Sequence, residues 1–241
     1  MRVLIACEFS GAVRKEFEAL GHESWSCDLL PSEIPGNHYQ GDVRDMLSEH
    51  WDLMVAHPPC TYLTISANKW YKDQPPRKSG ALVGAERRAA REEAIKFFMM
   101  LWNSPIEKIA IENPIGVMNT LLFKPQVIQP YHFGHLESKA TCFWLKNLPN
   151  LKKTNDVTEE WKNLPKGEAQ RLHYLSPSAN RWMERSKTFP GIAQAMAQQW
   201  GTPCFPTPRV PDVWESTPLQ AFSHPETFAT SQTLSTPPTR G

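Results

Sequence analysis

The sequence predicts an α/β fold: a mostly parallel, doubly wound sheet with a small extra region towards its end. Three observations predict it. Short, continuous apolar runs alternate with amphipathic helical stretches through residues 1–113. The runs lack polar alternation, as strands covered on both faces do. Polar residues able to do chemistry follow directly on four of these segments, where an open parallel sheet holds its ligands.

The first run is "RVLIAC" (2–7). In "FSGAVRKEFEALG", Ala12, Val13, Phe17 and Leu20 recur at helical spacing, Ser10 is placed to cap the start and Gly21 to end it. "HESWSCD" (22–28) reads as a second strand closing on an acid, and "GDVRDML" leads to a buried strand in "WDLMVAH" (51–57). "GAERRAAREEAIKFFMMLWN" reads as a long helix with Ala94, Ile95, Phe98, Met99 and Trp102 on its apolar face, followed by a strand in "KIAIEN" (108–113). Past residue 122 the pattern weakens: "PQVIQP" and "ATCFWL" read as strands, and 146–180 is polar and broken by Pro and Gly. "PGIAQAMAQQWG" (190–201) returns to a helix, with Pro190 near its start and Gly201 after its end. Residues 202–241, rich in Pro, Thr and Ser, read as a flexible tail.

A chain of 241 residues suits one large domain or two small ones. Its 26 Lys and Arg against 25 Asp and Glu leave a net charge of +1, so only local clustering can argue for a nucleic-acid partner. No apolar run approaches the roughly 18 residues of a membrane span. "MRVLIACEFSG" reads as a first strand rather than a signal peptide, and a cytoplasmic setting is expected. Cysteines stand at 7, 27, 60, 142 and 204, an odd count without a C-x-x-C pair. That pattern disfavours a zinc or disulfide framework and fits a reducing compartment. His132 and His135 form an H-x-x-H with no ligand pattern nearby, and read as polar loop or strand positions rather than a metal site.

The four strand-end sites are Glu8-Phe9-Ser10-Gly11, Asp28, Pro58-Pro59-Cys60 and Glu112-Asn113-Pro114. Cys60 admits two readings: a buried structural thiol, or a nucleophile held by two prolines that leave it few conformations. Glu112 is either a salt-bridged strand end or a carboxyl with a raised pKa, able to donate a proton at neutral pH. A Cys and a Glu at neighbouring strand ends suggest nucleophilic attack assisted by a general acid. The first loop has one Gly and is a weak phosphate cradle, yet suits a nucleoside cofactor without a pyrophosphate. Asp28 stands where a ribose diol is held, and Asp42 is placed to meet an adenine amine; each also fits a cap or turn role.

Phe9-Ser10-Gly11, Asp28, Asp42, Pro58-Pro59-Cys60 and Glu112-Asn113-Pro114 occur in the order and at the intervals of a known pattern. The chain resembles the DNA cytosine-5 methyltransferases, and residues 1–201 are similar to a compact phage and prophage group of them. The resemblance implies a Rossmann-like, S-adenosylmethionine-dependent methyltransferase fold over 1–201, with 146–180 as a reduced target-recognition region. It implies S-adenosylmethionine bound by Phe9, Ser10, Gly11, Asp28, Asp42 and Pro58. It implies that Cys60 adds to C6 of a cytosine flipped out of double-stranded DNA, while Glu112 donates to N3 and C5 takes the methyl group. A phage- or prophage-encoded protein acting in a bacterial cytoplasm, without a metal, follows.

Three departures accompany the resemblance. Where the family carries Gln-x-Arg-x-Arg, this chain has Glu137, Lys139 and Thr141. Lys139 still supplies a cation, but Thr141 cannot replace a guanidinium on the base carbonyl. The cofactor loop lacks the second glycine pair. The short 146–180 region implies short or relaxed sequence preference.

Residues 69–91 hold Lys69, Lys72, Arg77, Lys78, Arg87, Arg88 and Arg91 against Asp73 and Glu86. Lys69, Arg77, Lys78 and Arg87 are candidates for phosphate contact, the bland reading being a solvated helix face beside a loop. Trp70 and Tyr71 either stack on a base or pack locally. Three other functions stay open: transfer of a different group to C5, methylation of an exocyclic amine with His57 before the prolines, and passive nucleic-acid binding on the same scaffold.

Overall fold

The computed structural model describes residues 1–178 and 180–201, so the expected tail lies outside the described residues. Seven strands form one sheet: β1 (Arg2–Ala6), β2 (Glu23–Asp28), β3 (His38–Gln40), β4 (Leu53–Ala56), β5 (Lys108–Pro114), β6 (Gln126–Ile128) and β7 (Thr141–Lys146). The α-helices are α1 (Ala12–Ala19), α2 (Gly84–Trp102), α3 (Met118–Leu121), α4 (Thr158–Lys162), α5 (Lys166–Ala169), α6 (Arg171–Tyr174), α7 (Arg181–Ser186) and α8 (Pro190–Trp200).

The strand order is β3-β2-β1-β4-β5-β7-β6. The first five strands run parallel, and β7 runs antiparallel to both β5 and β6. This is the mostly parallel, Rossmann-like sheet expected from the sequence. Its order reverses between β1 and β4, which makes the carboxyl ends of these two strands the crevice where such sheets bind ligands.

Alternation along the strands sorts the core into two layers. Val3, Ile5, Leu53 and Val55 meet Val13 and Phe17 of α1 and Ile192, Ala193 and Met196 of α8. Leu4, Ala6, Met54, Ala56, Ile109 and Ile111 meet Phe98 and Leu101 of α2. Trp144 of β7 is fully buried, with its ring edge-on to Phe98 at 5.2 Å. Its indole N–H donates to the Phe123 carbonyl at 3.1 Å, so the large apolar ring leaves no polar atom unmatched.

The start of α1 departs from expectation. The buried Glu8 carboxylate, not Ser10, is the main cap: it accepts the amides of Val13 at 2.7 Å and Arg14 at 3.2 Å. An anion there answers the partial positive charge of the helix start. The Ser10 hydroxyl donates to Glu8 at 3.2 Å and accepts the Ala12 amide at 3.3 Å. Gly11 precedes the helix at φ +69°, and a Cβ there would lie 2.5 Å from Ile34 Cγ1, so its glycine character serves internal packing. Gly21 ends the helix at φ +80°, as the sequence predicts.

Candidate active site

Parallel pairing sets Ala56 of β4 against Ile111 of β5, so the next residues, His57 and Glu112, emerge side by side. His57 Nδ1 lies 3.5 Å from Glu112 Oε2. The segments that follow are then tied together through one side-chain amide and through main chain. Asn113 Nδ2 donates to the Pro58 carbonyl at 2.9 Å, and the Val117 amide donates to the Leu63 carbonyl at 2.8 Å. Thr64 and Gly116 form an isolated antiparallel bridge. A side chain at Gly116 would put its Cβ 2.1 Å from the Leu63 carbonyl oxygen, so only glycine permits this approach. Cys60 opens the turn: its carbonyl accepts the amides of Leu63 and Thr64 at 3.0 and 3.1 Å. The residue is exposed, so it is not a structural cysteine of the core, although the loops around it still desolvate its thiol.

Desolvation by the surrounding loops is the largest influence raising the Cys60 thiol above its ordinary pKa, and the Glu112 charge adds to it. Lys139 and Arg185 pull it back down without overcoming that rise. At neutral pH the sulfur therefore rests as a thiol. Of the two readings that the sequence left open for Glu112, the paired strand end is the one found. Burial, its largest single influence, pushes the carboxyl up, but contact with His57 and the charges of Lys139 and His57 together hold it below its ordinary value. It is a carboxylate at neutral pH, beside His57, and not a carboxyl with a raised pKa. Lys139 thus stands within electrostatic reach of both Cys60 and Glu112. The neighbouring Thr141 hydroxyl is turned to the Lys139 carbonyl at 3.0 Å, and buried Glu137 accepts the Leu172 amide at 3.3 Å.

The cofactor candidates line the ends of β1 to β3. Asp28 Oδ1 accepts the Leu30 amide at 3.0 Å, and the intervening Leu29 is 73% exposed. A carboxylate beside an uncovered apolar side chain is a donor set that fits a nucleoside: one acceptor for a diol, one surface for a base. Asp42 caps the short 3-10 turn Val43–Asp45, accepting from the Arg44 amide at 2.9 Å and its guanidinium at 2.6 Å. An adenine amine would share those oxygens. Phe9 and Ser10 are buried, and Pro58 is buried with its carbonyl held by Asn113. Pro58 stands after β4, and the Ser10 hydroxyl is already engaged by Glu8 and Ala12. Cys7, just before this loop, adopts φ +60°, an uncommon conformation for a side-chain-bearing residue.

The segment after Cys60 is held by α2. Arg87 is buried, donates to the carbonyls of Leu82 and Thr61 at 3.3 Å each, and lies over the rings of Tyr62 and Tyr71. Its expected phosphate contact is therefore replaced by a structural role, because the guanidinium is spent inside. Arg88 donates to the Tyr71 carbonyl at 2.7 Å and Arg91 to the Tyr62 carbonyl at 3.0 Å. Lys69 and Lys78 are exposed, and Arg77 stacks at 4.0 Å on Trp70. Three of the four expected cations thus remain on the outside of this segment.

Sequence reasoning missed α7. Trp182, 54% exposed, approaches Phe9 with ring centroids 6.0 Å apart, which brings α7 to the end of β1. Arg185 is one helical turn further along the same face. The pair had no signal in the sequence, since a six-residue helix in a polar region shows no periodicity. His135, of the H-x-x-H, accepts the Gly191 amide at 2.9 Å through Nε2 and so anchors the start of α8. Among the described residues no group of three or more His, Cys, Asp or Glu is placed to hold a metal ion, and no helix is long and apolar enough to cross a membrane.

No family model matches the chain, and no curated protein matches it. Among solved structures it is similar to a prophage-encoded protein from E. coli described as a DNA modification methyltransferase, at 12% identity and a TM-score of 0.40 over 69% of this chain. It is also similar to the Dnmt2 methyltransferase of S. pombe, at 16% identity and a TM-score of 0.38 over 74% of this chain. A DNMT2 variant from Spodoptera frugiperda matches at 13% identity and a TM-score of 0.35 over 68%. The chain spans 56%, 60% and 55% of the lengths of these three structures.

Proposed function

We propose that this chain is an S-adenosylmethionine-dependent DNA cytosine-5 methyltransferase. The observation that carries the reading is the junction at the carboxyl ends of β4 and β5: an exposed Cys60 just after β4 and a Glu112 carboxylate near the end of β5, with the adjoining segments hydrogen-bonded to each other. C5 of cytosine is too weak a nucleophile to take a methyl group unaided, and addition of a sulfur at C6 makes it enamine-like.

Cys60 loses its proton to solvent water, and the sulfur forms a bond to C6 as the C5–C6 π pair moves into the ring. Lys139 and Arg185 favour the thiolate. Glu112 faces N3 and the exocyclic amine, accepting from the amine and relaying to N3 a proton that it first takes up, since it rests as a carboxylate. Bound S-adenosylmethionine supplies an electrophilic methyl group. Asp28 would hold its ribose diol and Leu29 cover one face of its adenine, with Asp42 near the amine. Phe9 and Trp182 close the side nearest α7. Loss of the C5 proton to water and expulsion of Cys60 from C6 release the product. Lys69, Arg77 and Lys78 meet phosphates, and Trp70 or Tyr71 stands near the space a flipped base vacates.

The test is DNA containing 5-fluorocytosine, whose C5 fluorine blocks the last elimination. With S-adenosylmethionine the wild-type protein is expected to form a denaturant-stable adduct, and Cys60→Ser none. DNA binding without an adduct from the wild type would overturn the reading.

A further inference from the structure

We propose that His57 holds the proton that Glu112 passes to the base, making His57 a positioning and proton-storing residue for this site. The inference rests on the cytosine-5 reading and adds a participant to it. His57 is 9% exposed at its side chain, and neither ring nitrogen makes a hydrogen bond among the described residues. A buried polar group without a partner is destabilising, so an unpartnered ring here calls for an explanation. The polar group set against this ring is Glu112, with 3.5 Å between Nδ1 and Oε2. Strand register fixes that approach, since both residues directly follow a paired position of β4 and β5.

The site needs such a group. Glu112 is held as a carboxylate and has no proton of its own to give. Imidazole is the side chain whose charge changes between about pH 5 and 8. As the Cys60 sulfur bonds to C6, N3 becomes basic. His57 then gives its Nδ1 proton to Glu112 Oε2, and Glu112 gives a proton to N3. When the Sγ–C6 bond breaks, N3 returns its proton by the same route, so the pair ends as it began. The charged and titratable groups around the pair are Cys60 after β4, Lys139 ahead of β7, Cys142 on β7 and Arg185 on α7. Of these, the Cys60 thiol titrates on the alkaline side.

The experiment is the single-turnover rate of adduct formation on 5-fluorocytosine DNA between pH 5.5 and 9.5. The wild-type rate is expected to rise with the Cys60 thiolate and fall where the stored proton is lost, giving a bell. In His57→Gln, which keeps a donor but does not titrate, the falling limb should vanish and the rate at pH 6.5 should drop about a hundredfold. Glu112→Gln should lose the same limb, and His57→Gln should cost nothing further in that background. A falling limb that survives in either variant, or independent losses in the double variant, overturns the proposal. Should His57→Gln not fold, Glu112→Gln alone decides. A wild-type protein that forms no adduct at any pH overturns the cytosine-5 reading instead.

Discussion

Lys139 and Arg185 both act on a sulfur whose thiolate is otherwise disfavoured by desolvation and by Glu112. Removing either cation must raise the thiol further, so Lys139→Met and Arg185→Met should each displace the alkylation profile of Cys60 to higher pH. Glu112→Gln removes the opposing charge and should displace it to lower pH. Iodoacetamide labelling followed by mass mapping of the Cys60 peptide reads all three, and a shift of opposite sign would refute the assignment. At this scale the sequence offered Cys60 and Glu112 as candidates because each follows an apolar run, and Lys139 only through the family resemblance. It did not show that His57 holds Glu112 ionised, since that depends on strand register. Nor did it show Arg185, which reaches the site from a helix with no pattern of its own.

The loops after β4 and β5 act as one element. Gly116→Ala would force a Cβ against the Leu63 carbonyl, backbone against backbone, with no flexible side chain to yield. We expect a loss of about 1–3 kcal/mol in urea unfolding and a larger proportional loss of adduct rate, because the two reactive side chains part. Unchanged stability and rate would mean that the junction is not held as described. Four of the five parallel strands were legible in the sequence, β1, β4 and β5 from apolar runs, while β3, His38–Gln40, was not; α8 was legible from its terminal Pro and Gly. The junction was not legible, since main-chain bonds such as Val117 to Leu63 leave no signature in residue type. The α1 cap was hidden for a related reason: Ser10 and Glu8 both precede the helix, and only the turn at Cys7–Gly11 shows which oxygen reaches its amides.

Across the whole molecule a net charge of +1 offers no general attraction to nucleic acid, so the proposed DNA contact rests on local cations. Lys69→Gln and Lys78→Gln should each weaken DNA binding and reduce the salt slope by about 0.9 for each phosphate left without its cation. Arg87→Gln should leave that slope unchanged and lower the melting temperature instead, because two carbonyls are deprived of their donor. Fluorescence anisotropy at several salt concentrations separates the two behaviours; a reduced slope in Arg87→Gln would return that residue to the nucleic-acid face. Composition revealed the cluster at 69–91 but not which of its members turn inward.

The grip of α2 on the neighbouring segment has a consequence of its own. Arg87, Arg88 and Arg91 seize the carbonyls of Thr61, Tyr62, Tyr71 and Leu82, atoms that every amino acid carries. The path of that stretch is therefore largely indifferent to what its outward positions spell. Those outward residues can be exchanged while Cys60 next door stays put.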